Sequence, residues 1–207
     1  GLRVVPQGNV GVAQGKGFEV ELKYNKNFNN GLWLMINGNF TYASSTVKKW
    51  EEPDYSDVPW RTRVGQKINQ PIGYIAERLF IDEEEVNNSP RQLFGEYGAG
   101  DIKYKDINND GQINTDDMLA IGQPTIPEII YGNSFSIGYK AFDINFFIQG
   151  SARSSFFIKP EGISPFLNQG QKALMQTIAD DHWSETNRNI EAFWPRLSEY
   201  TIANNNQ

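Results

Sequence analysis

The sequence predicts a mainly β protein: antiparallel strands of a large transmembrane β-barrel with long extracellular loops. Three observations point there. Two pairs of segments alternate apolar and polar residues over about nine to eleven positions, the length with which a tilted strand crosses a hydrocarbon core, whereas soluble strands average about five or six. Their polar faces are rich in Asn, Asp and Gln, as a wet lumen requires. Tight turns alternate with long polar stretches, the asymmetry of outer-membrane barrels. Alternation taken alone also describes a large soluble sandwich with one solvated face.

The first hairpin joins residues 17–25 to 32–42. GFEVELKYN sets Phe18, Val20, Leu22 and Tyr24 against Glu19, Glu21 and Lys23. After the turn-forming KNFNNG, Leu32, Leu34, Ile36, Phe40 and Tyr42 share one face, and Trp33, Met35, Asn37, Asn39 and Thr41 the other. The second hairpin joins 131–139 to 141–152 through a tight connection at Lys140-Ala141. Here Phe135, Ile137 and Tyr139 pair with Phe142, Ile144, Phe146 and Ile148, while Asp143, Asn145, Phe147 and Gln149 face away. Tyr24, Tyr42, Tyr131, Tyr139 and Phe142, near strand ends, suit interfacial girdles.

Residues 43–72, 82–130 and the tail from 153 read as long functional loops. One short helix is expected around 170–182, with Leu174 and Ile178 on one side. His182, the only histidine, follows it in a surface or packing role. The acidic run Asp82 to Glu85 reads as a solvated loop.

Composition narrows the function. The 207 residues suffice for one or two domains, and the net charge of −6, with no Lys/Arg cluster, excludes nucleic acid as a partner. No cysteine is present, so disulfides, thiolate metal sites and cysteine nucleophiles are excluded. No apolar run approaches about 18 residues, which rules out a membrane-crossing helix but not a barrel. No nucleophile elbow, phosphate loop or dinucleotide fingerprint occurs, and no carboxylate pair stands out, so an enzyme is not expected.

The most specific local pattern is DINNDGQINTDD at 106–117. Asp106, Asn108 and Asp110 place oxygen donors at loop positions one, three and five. Gly111 takes the sharp turn, Gln112 offers its carbonyl, and Asp117 closes the site. A hard cation, Ca²⁺, suits that donor set. Asp117 stands where the EF-hand pattern has a bidentate Glu, and the bland reading is an Asn/Asp/Gly-rich turn without an ion. Trp50, Trp60 and Trp194, with Trp183, fall in loop-like segments, and the first three are the candidate contacts for a ligand or partner.

Four segments carry a family resemblance: KGFEVELKYNKNFNNGLWLMINGNFTYASS (16–45), RTRVGQKINQPIGYIAERLF (61–80), residues 100–150, and HWSETNRNIEAFWPRLS (182–198). The third is the most specific, with its G-D-I-K-Y run into the acidic loop, an I-G-x-P segment, then Y-G-N-S and Y-K-x-F-D. In this order they resemble the C-terminal barrel region of SusC/RagA-type TonB-dependent outer-membrane transporters of Bacteroidetes. The resemblance implies that residues 1–207 are a portion of a receptor barrel, with the plug domain, the TonB-contacting segment and the terminal strands lying outside the chain. It further implies a bacterial outer-membrane location, contact with outer-membrane lipid, and import of oligosaccharides or peptides with a SusD-like lipoprotein partner, driven through the TonB system. Calcium would then be structural, locking a long loop.

The competing reading is a secreted calcium-stabilised carbohydrate-binding or dockerin-like module. A dockerin needs a second calcium loop with helices following each; here no second loop occurs, and long strands follow the first.

Overall fold

The computed structural model describes residues 9–158, 160–166 and 172–206. The chain divides into two compact units, one built from residues up to 54, 62–71 and 122–156, the other from 55–61, 72–121 and 157 onward.

The first unit is a four-stranded antiparallel sheet. Its strands are β1 (Gly11–Asn27), β2 (Leu32–Trp50), β9 (Ile129–Tyr139) and β10 (Phe142–Ala152), in the order β1-β2-β9-β10. Both expected hairpins are present, and all four strands are long enough to cross a hydrocarbon core when tilted. Lys140, in the two-residue β9–β10 turn, has φ 57°.

Register makes the two faces continuous. Phe18 lies opposite Tyr42, which lies opposite Ile129. Tyr24 faces Ile36, Ile36 faces Phe135, and Phe135 faces Phe146. Directly opposed residues share a face, so one apolar surface runs across all four strands. The other surface carries Glu19, Glu21 and Lys23, then Asn37, Asn39 and Thr41, then Ser134 and Ser136, then Asp143, Asn145 and Gln149. The apolar surface is open: Phe18, Leu22, Phe142, Ile144 and Phe146 are all exposed.

Strand glycines recur opposite large side chains. Gly11 lies across from Trp50, Gly138 from Trp33, and Gly150 from Tyr131. In each case a Cβ on the glycine would collide with the aromatic ring of its partner. The pairs Gly38–Asn133 and Gly132–Asn39 repeat the arrangement with amides. The ring or amide covers the bare backbone and pins the register.

β2 extends eight residues past Tyr42, where a loop was expected to begin. Side-chain alternation fades over Ala43–Trp50, but backbone pairing persists. β1 pairs one side of this stretch. On the other, residues 65–68 replace β9, with Val47 N–H donating to the Gln66 carbonyl at 2.9 Å and Gly65 N–H to the Val47 carbonyl at 2.9 Å.

The second unit is built from short pieces: β3 (Ile72–Gly73) with β8 (Leu119–Ala120), β4 (Ala76–Leu79) with β6 (Ile102–Tyr104), and β5 (Arg91–Gln92) in parallel with β7 (Gln112–Ile113). Its buried apolar residues include Leu79, Phe80, Tyr104, Ile113, Ile178 and Trp183. Asp82 to Glu85 is not a solvated loop. Asp82 caps a helix, α1 (Glu83–Asn88), accepting from Glu85 N–H at 2.9 Å. Glu85 in turn accepts from Arg78 and, at 2.8 Å, from Lys103.

The helix expected over 170–182 is shorter, spanning Gln176–Asp180. Residues 170 and 171 lie outside the described part. Met175, the N-cap, has extended backbone (φ −71°, ψ 143°), so the helix starts only at Gln176. Ile178 is buried as its periodicity suggested. His182 ends the segment, its Nδ1 3.0 Å from both the Ile178 and Ala179 carbonyls, which is a packing and capping role.

Candidate functional site: the acidic loop and the polar face of the sheet

The acidic loop belongs to the second unit and is held from both ends. Upstream, β6 leads in; downstream, β7 pairs with β5, and Ile113 is fully buried beneath it. Asn109 has φ 60° and Gly111 φ 82°, the left-handed conformations that Asn and Gly tolerate best. Asp106 accepts from Asn109 N–H at 2.6 Å and Gly111 N–H at 2.8 Å. Asp110 accepts from Gln112 N–H at 2.8 Å and from the Asn108 amide at 2.9 Å. Asp117, fully buried, accepts from Ile107 N–H and Asn114 N–H, each at 2.8 Å.

The donor types suit a hard cation, and their carboxylates also accept from backbone N–H groups and the Asn108 amide. Among the described residues, no three carboxylate or imidazole groups converge to hold a metal. Coordination by all five expected ligands would require Asp117 to share or release its two N–H partners.

Trp60 joins this loop. It sits in a single helical turn, Pro59–Arg61, and its indole N–H donates to the Asp116 carbonyl at 2.7 Å; Arg61 pairs with the Asp116 carboxylate at 2.6 Å. Nearby, burial and then the Asp117 carboxylate push the Tyr74 phenol above its ordinary value, and Tyr74 packs against Phe94 and Tyr104. Trp50 is elsewhere, at the end of β2 over Gly11, with the Arg63 guanidinium 5.9 Å from its ring. Trp183 is buried against Gly100 rather than displayed in a loop. Trp194 is half-buried, with its backbone N–H bonded to the Asp181 carbonyl.

In the first unit, the polar face forms a hollow of about 480 Å³ lined by Asn37, Asn39, Ser134, Phe147 and Gln149 among others. The Asn37 amide donates to Ser134 Oγ at 3.1 Å across the strands. Phe147 is 64% exposed here, an apolar ring that shares the amide-rich face with Trp33, Met35 and Ile130.

Where β2 outruns β9, a charged cluster ties the chain together. Glu128, almost fully buried, accepts from Lys67 at 2.6 Å and Arg153 at 2.7 Å, and Lys67 also reaches Ser44. The Lys67 ammonium, helped by Ser44 and Arg153 and opposed by burial, holds the Glu128 carboxyl at about 2. This cluster was not read from the sequence: its members are scattered singly through polar stretches, and only the fold assembles them.

A two-faced sheet of long antiparallel strands, with short turns at one end and long connections at the other, has the architecture of part of a large antiparallel β-barrel. Comparison with known proteins agrees. No family model matches the chain. Over 192 residues it is 27% identical to TonB-dependent receptor P26 of Formosa agariphila, covering 86% of this chain and 18% of that protein. TonB-dependent receptor P3 of the same organism is 26% identical over 212 residues, covering 94% of this chain and 20% of that protein. A solved structure of the RagAB peptide transporter superposes with a TM-score of 0.60 at 15% identity, over 94% of this chain and 20% of that one. The same peptide importer in its closed-closed state gives 0.58 at 16% identity, over 95% and 21%. The likeness to SusC/RagA-type TonB-dependent receptors thus extends over most of the chain, which spans about a fifth of the length of those relatives.

Proposed function

We propose that the chain forms part of the barrel wall and loops of an outer-membrane TonB-dependent transporter of the SusC/RagA type, importing oligosaccharides or peptides with a SusD-like lipoprotein partner. The observation that supports this most is the sheet's division into one open apolar face and one amide-rich face, the partition a lipid-facing, water-lined wall requires. Transport across the outer membrane draws on the inner-membrane gradient through TonB, and the energy-coupling contact is assigned to no residue of this chain. The residues here would supply lumen wall and loop surface.

Growth provides the test. A strain lacking the gene should lose growth on one oligomeric nutrient and regain it with the intact gene, but not with a copy lacking the TonB-contacting segment. Rescue without that segment would mean a passive pore and would overturn the reading.

A structural Ca²⁺ at Asp106, Asn108, Asp110, the Gln112 carbonyl and Asp117 is a separate proposal, supported by the spacing of those residues. It would brace the loop and take no part in transport chemistry.

A further inference from the structure

The second unit contains a cleft of about 250 Å³ with an unusual concentration of rings: Phe193, Trp194 and Tyr200, beside the hydroxyl-bearing Ser164, Ser198 and Thr201. Phe193 is 64% exposed and Tyr200 79%, so two of the three rings are largely uncovered. Large open rings next to hydrogen-bonding groups are the composition of a ligand site, where apolar surface supplies affinity and a few polar groups fix orientation.

The chemistry of the walls selects the ligand. Among the described residues, the only charged one lining the cleft is Arg196, and it is committed. Its Nε and Nη2 donate to the two oxygens of Asp101, a fully buried carboxylate, at 2.8 and 3.1 Å. Among the described residues of those walls, an anionic ligand would therefore find no uncompensated cation. An extended peptide binding by strand addition would need a strand edge to pair with. The strand that borders the cleft, β6, offers none at Ile102, whose N–H donates to Asn205 Oδ1 and whose carbonyl accepts from Gln92 and Asn204. Its other neighbour is β4. What fits is a neutral, ring-shaped molecule with many hydroxyls.

We propose that the cleft lined by Phe193, Trp194 and Tyr200 binds a neutral sugar ring of an oligosaccharide. The proposal rests on the transporter reading and narrows its substrate from oligosaccharide or peptide to neutral oligosaccharide. The pyranose face would lie on an aromatic ring and its hydroxyls would exchange hydrogen bonds with the serine and threonine side chains.

The experiment is a binding measurement on the full-length receptor in detergent, by tryptophan fluorescence and calorimetry. The probes are neutral hexose and deoxyhexose oligomers, uronic-acid and sulfated oligomers of equal length, and uncharged peptides. Neutral oligomers should bind; the anionic sugars and peptides should bind at least tenfold more weakly. Tyr200→Ala, at a position too exposed to carry the fold, should weaken binding about three- to tenfold, and Tyr200→Phe should restore it. Tighter binding of the anionic or peptide probes, no binding of any probe, or neutral-sugar affinity unchanged in Tyr200→Ala and Trp194→Ala would overturn the proposal. Energised uptake in cells is scored separately. Uptake that persists while Tyr200→Ala leaves binding intact rejects the cleft and keeps the transporter; loss of TonB dependence rejects the transporter, while the purified receptor still decides the cleft.

Discussion

The indole of Trp33 on β2 lies directly across the strand pair from Gly138 on β9, so close that a Cβ at Gly138 would strike it. Gly11 with Trp50 and Gly150 with Tyr131 repeat the relationship along the other two strand pairs. Glycine weakens a strand through chain entropy and missing packing, and the covering ring offsets both while resisting register slip.

Gly138→Val should accordingly lower stability by about 1–3 kcal/mol, the cost of overpacking a filled site. Gly15→Val, on β1, meets nothing within 4 Å and serves as the control. Thermal unfolding of the detergent-solubilised protein reads both. Equal midpoints for the two variants would show that Trp33 moves aside freely.

Glu128 carries the clearest pH dependence. Its carboxyl is lowered to about 2, first by the Lys67 ammonium, with Ser44 and Arg153 adding to it. A carboxyl lowered in the folded state stabilises the fold above the ordinary carboxylate range and loses that contribution as pH falls through about 2. Glu128→Gln should cost about 1–3 kcal/mol near neutral pH, because it removes a hydrogen-bonded charge from a nearly buried position. The gap between wild type and variant should close as pH approaches 2. Hydrogen exchange at residues 65–68, which pair with β2 beside this cluster, should quicken in the variant; unchanged exchange would mean backbone pairing alone holds them.

Face assignment, hairpin pairing and strand direction were all legible in the sequence, because period-two alternation from Phe18 to Tyr24 and from Phe142 to Gln149 states which residues share a surface. The upper half of β2 was not. Ala43–Trp50 has small and charged residues without alternation, and its strand conformation comes from pairing with β1 and with residues far along the chain. Glu85 and Glu128 were unreadable for a related reason: a Glu within an acidic run, or alone in a polar stretch, looks the same whether it meets water or two cations. The acidic loop was legible as a shape. Gly111 adopts the sharp left-handed turn its pattern implies, while the second one at Asn109 and the partners of its carboxylates emerge only from the fold.

Calcium gives the loop its own test. If the ion binds, millimolar Ca²⁺ should raise the unfolding temperature of the full-length protein, metal analysis should find about one ion per chain, and Asp110→Ala should abolish both effects. Identical unfolding with calcium and with chelator, in wild type and variant, would show that the N–H bonds to Asp106, Asp110 and Asp117 brace the loop unaided.

Adjacent residues on β10 distinguish a lipid-facing wall from a solvated one. Phe146 lies on the apolar surface opposite Phe135, while Asn145 lies on the polar surface opposite Ser136. Both are exposed, so neither substitution overfills a packed core. In a membrane, Phe146→Lys places a charge against hydrocarbon at a cost of about 2–4 kcal/mol near the bilayer midplane, whereas Asn145→Lys keeps its charge in lumen water at little cost. The full-length receptor carrying Phe146→Lys should therefore assemble poorly, with less folded, heat-modifiable protein in the outer-membrane fraction, and Asn145→Lys should assemble like wild type. In a soluble sheet whose apolar face packs on a second layer, Phe146→Lys would also be damaging, so the decisive measurement is the effect of bilayer thickness. Reconstituted in lipids of increasing chain length, Phe146→Lys becomes progressively costlier only if its new charge faces lipid and sits ever deeper from the interface. A penalty independent of chain length, or a greater loss from Asn145→Lys, would show that the apolar surface of this sheet does not meet lipid.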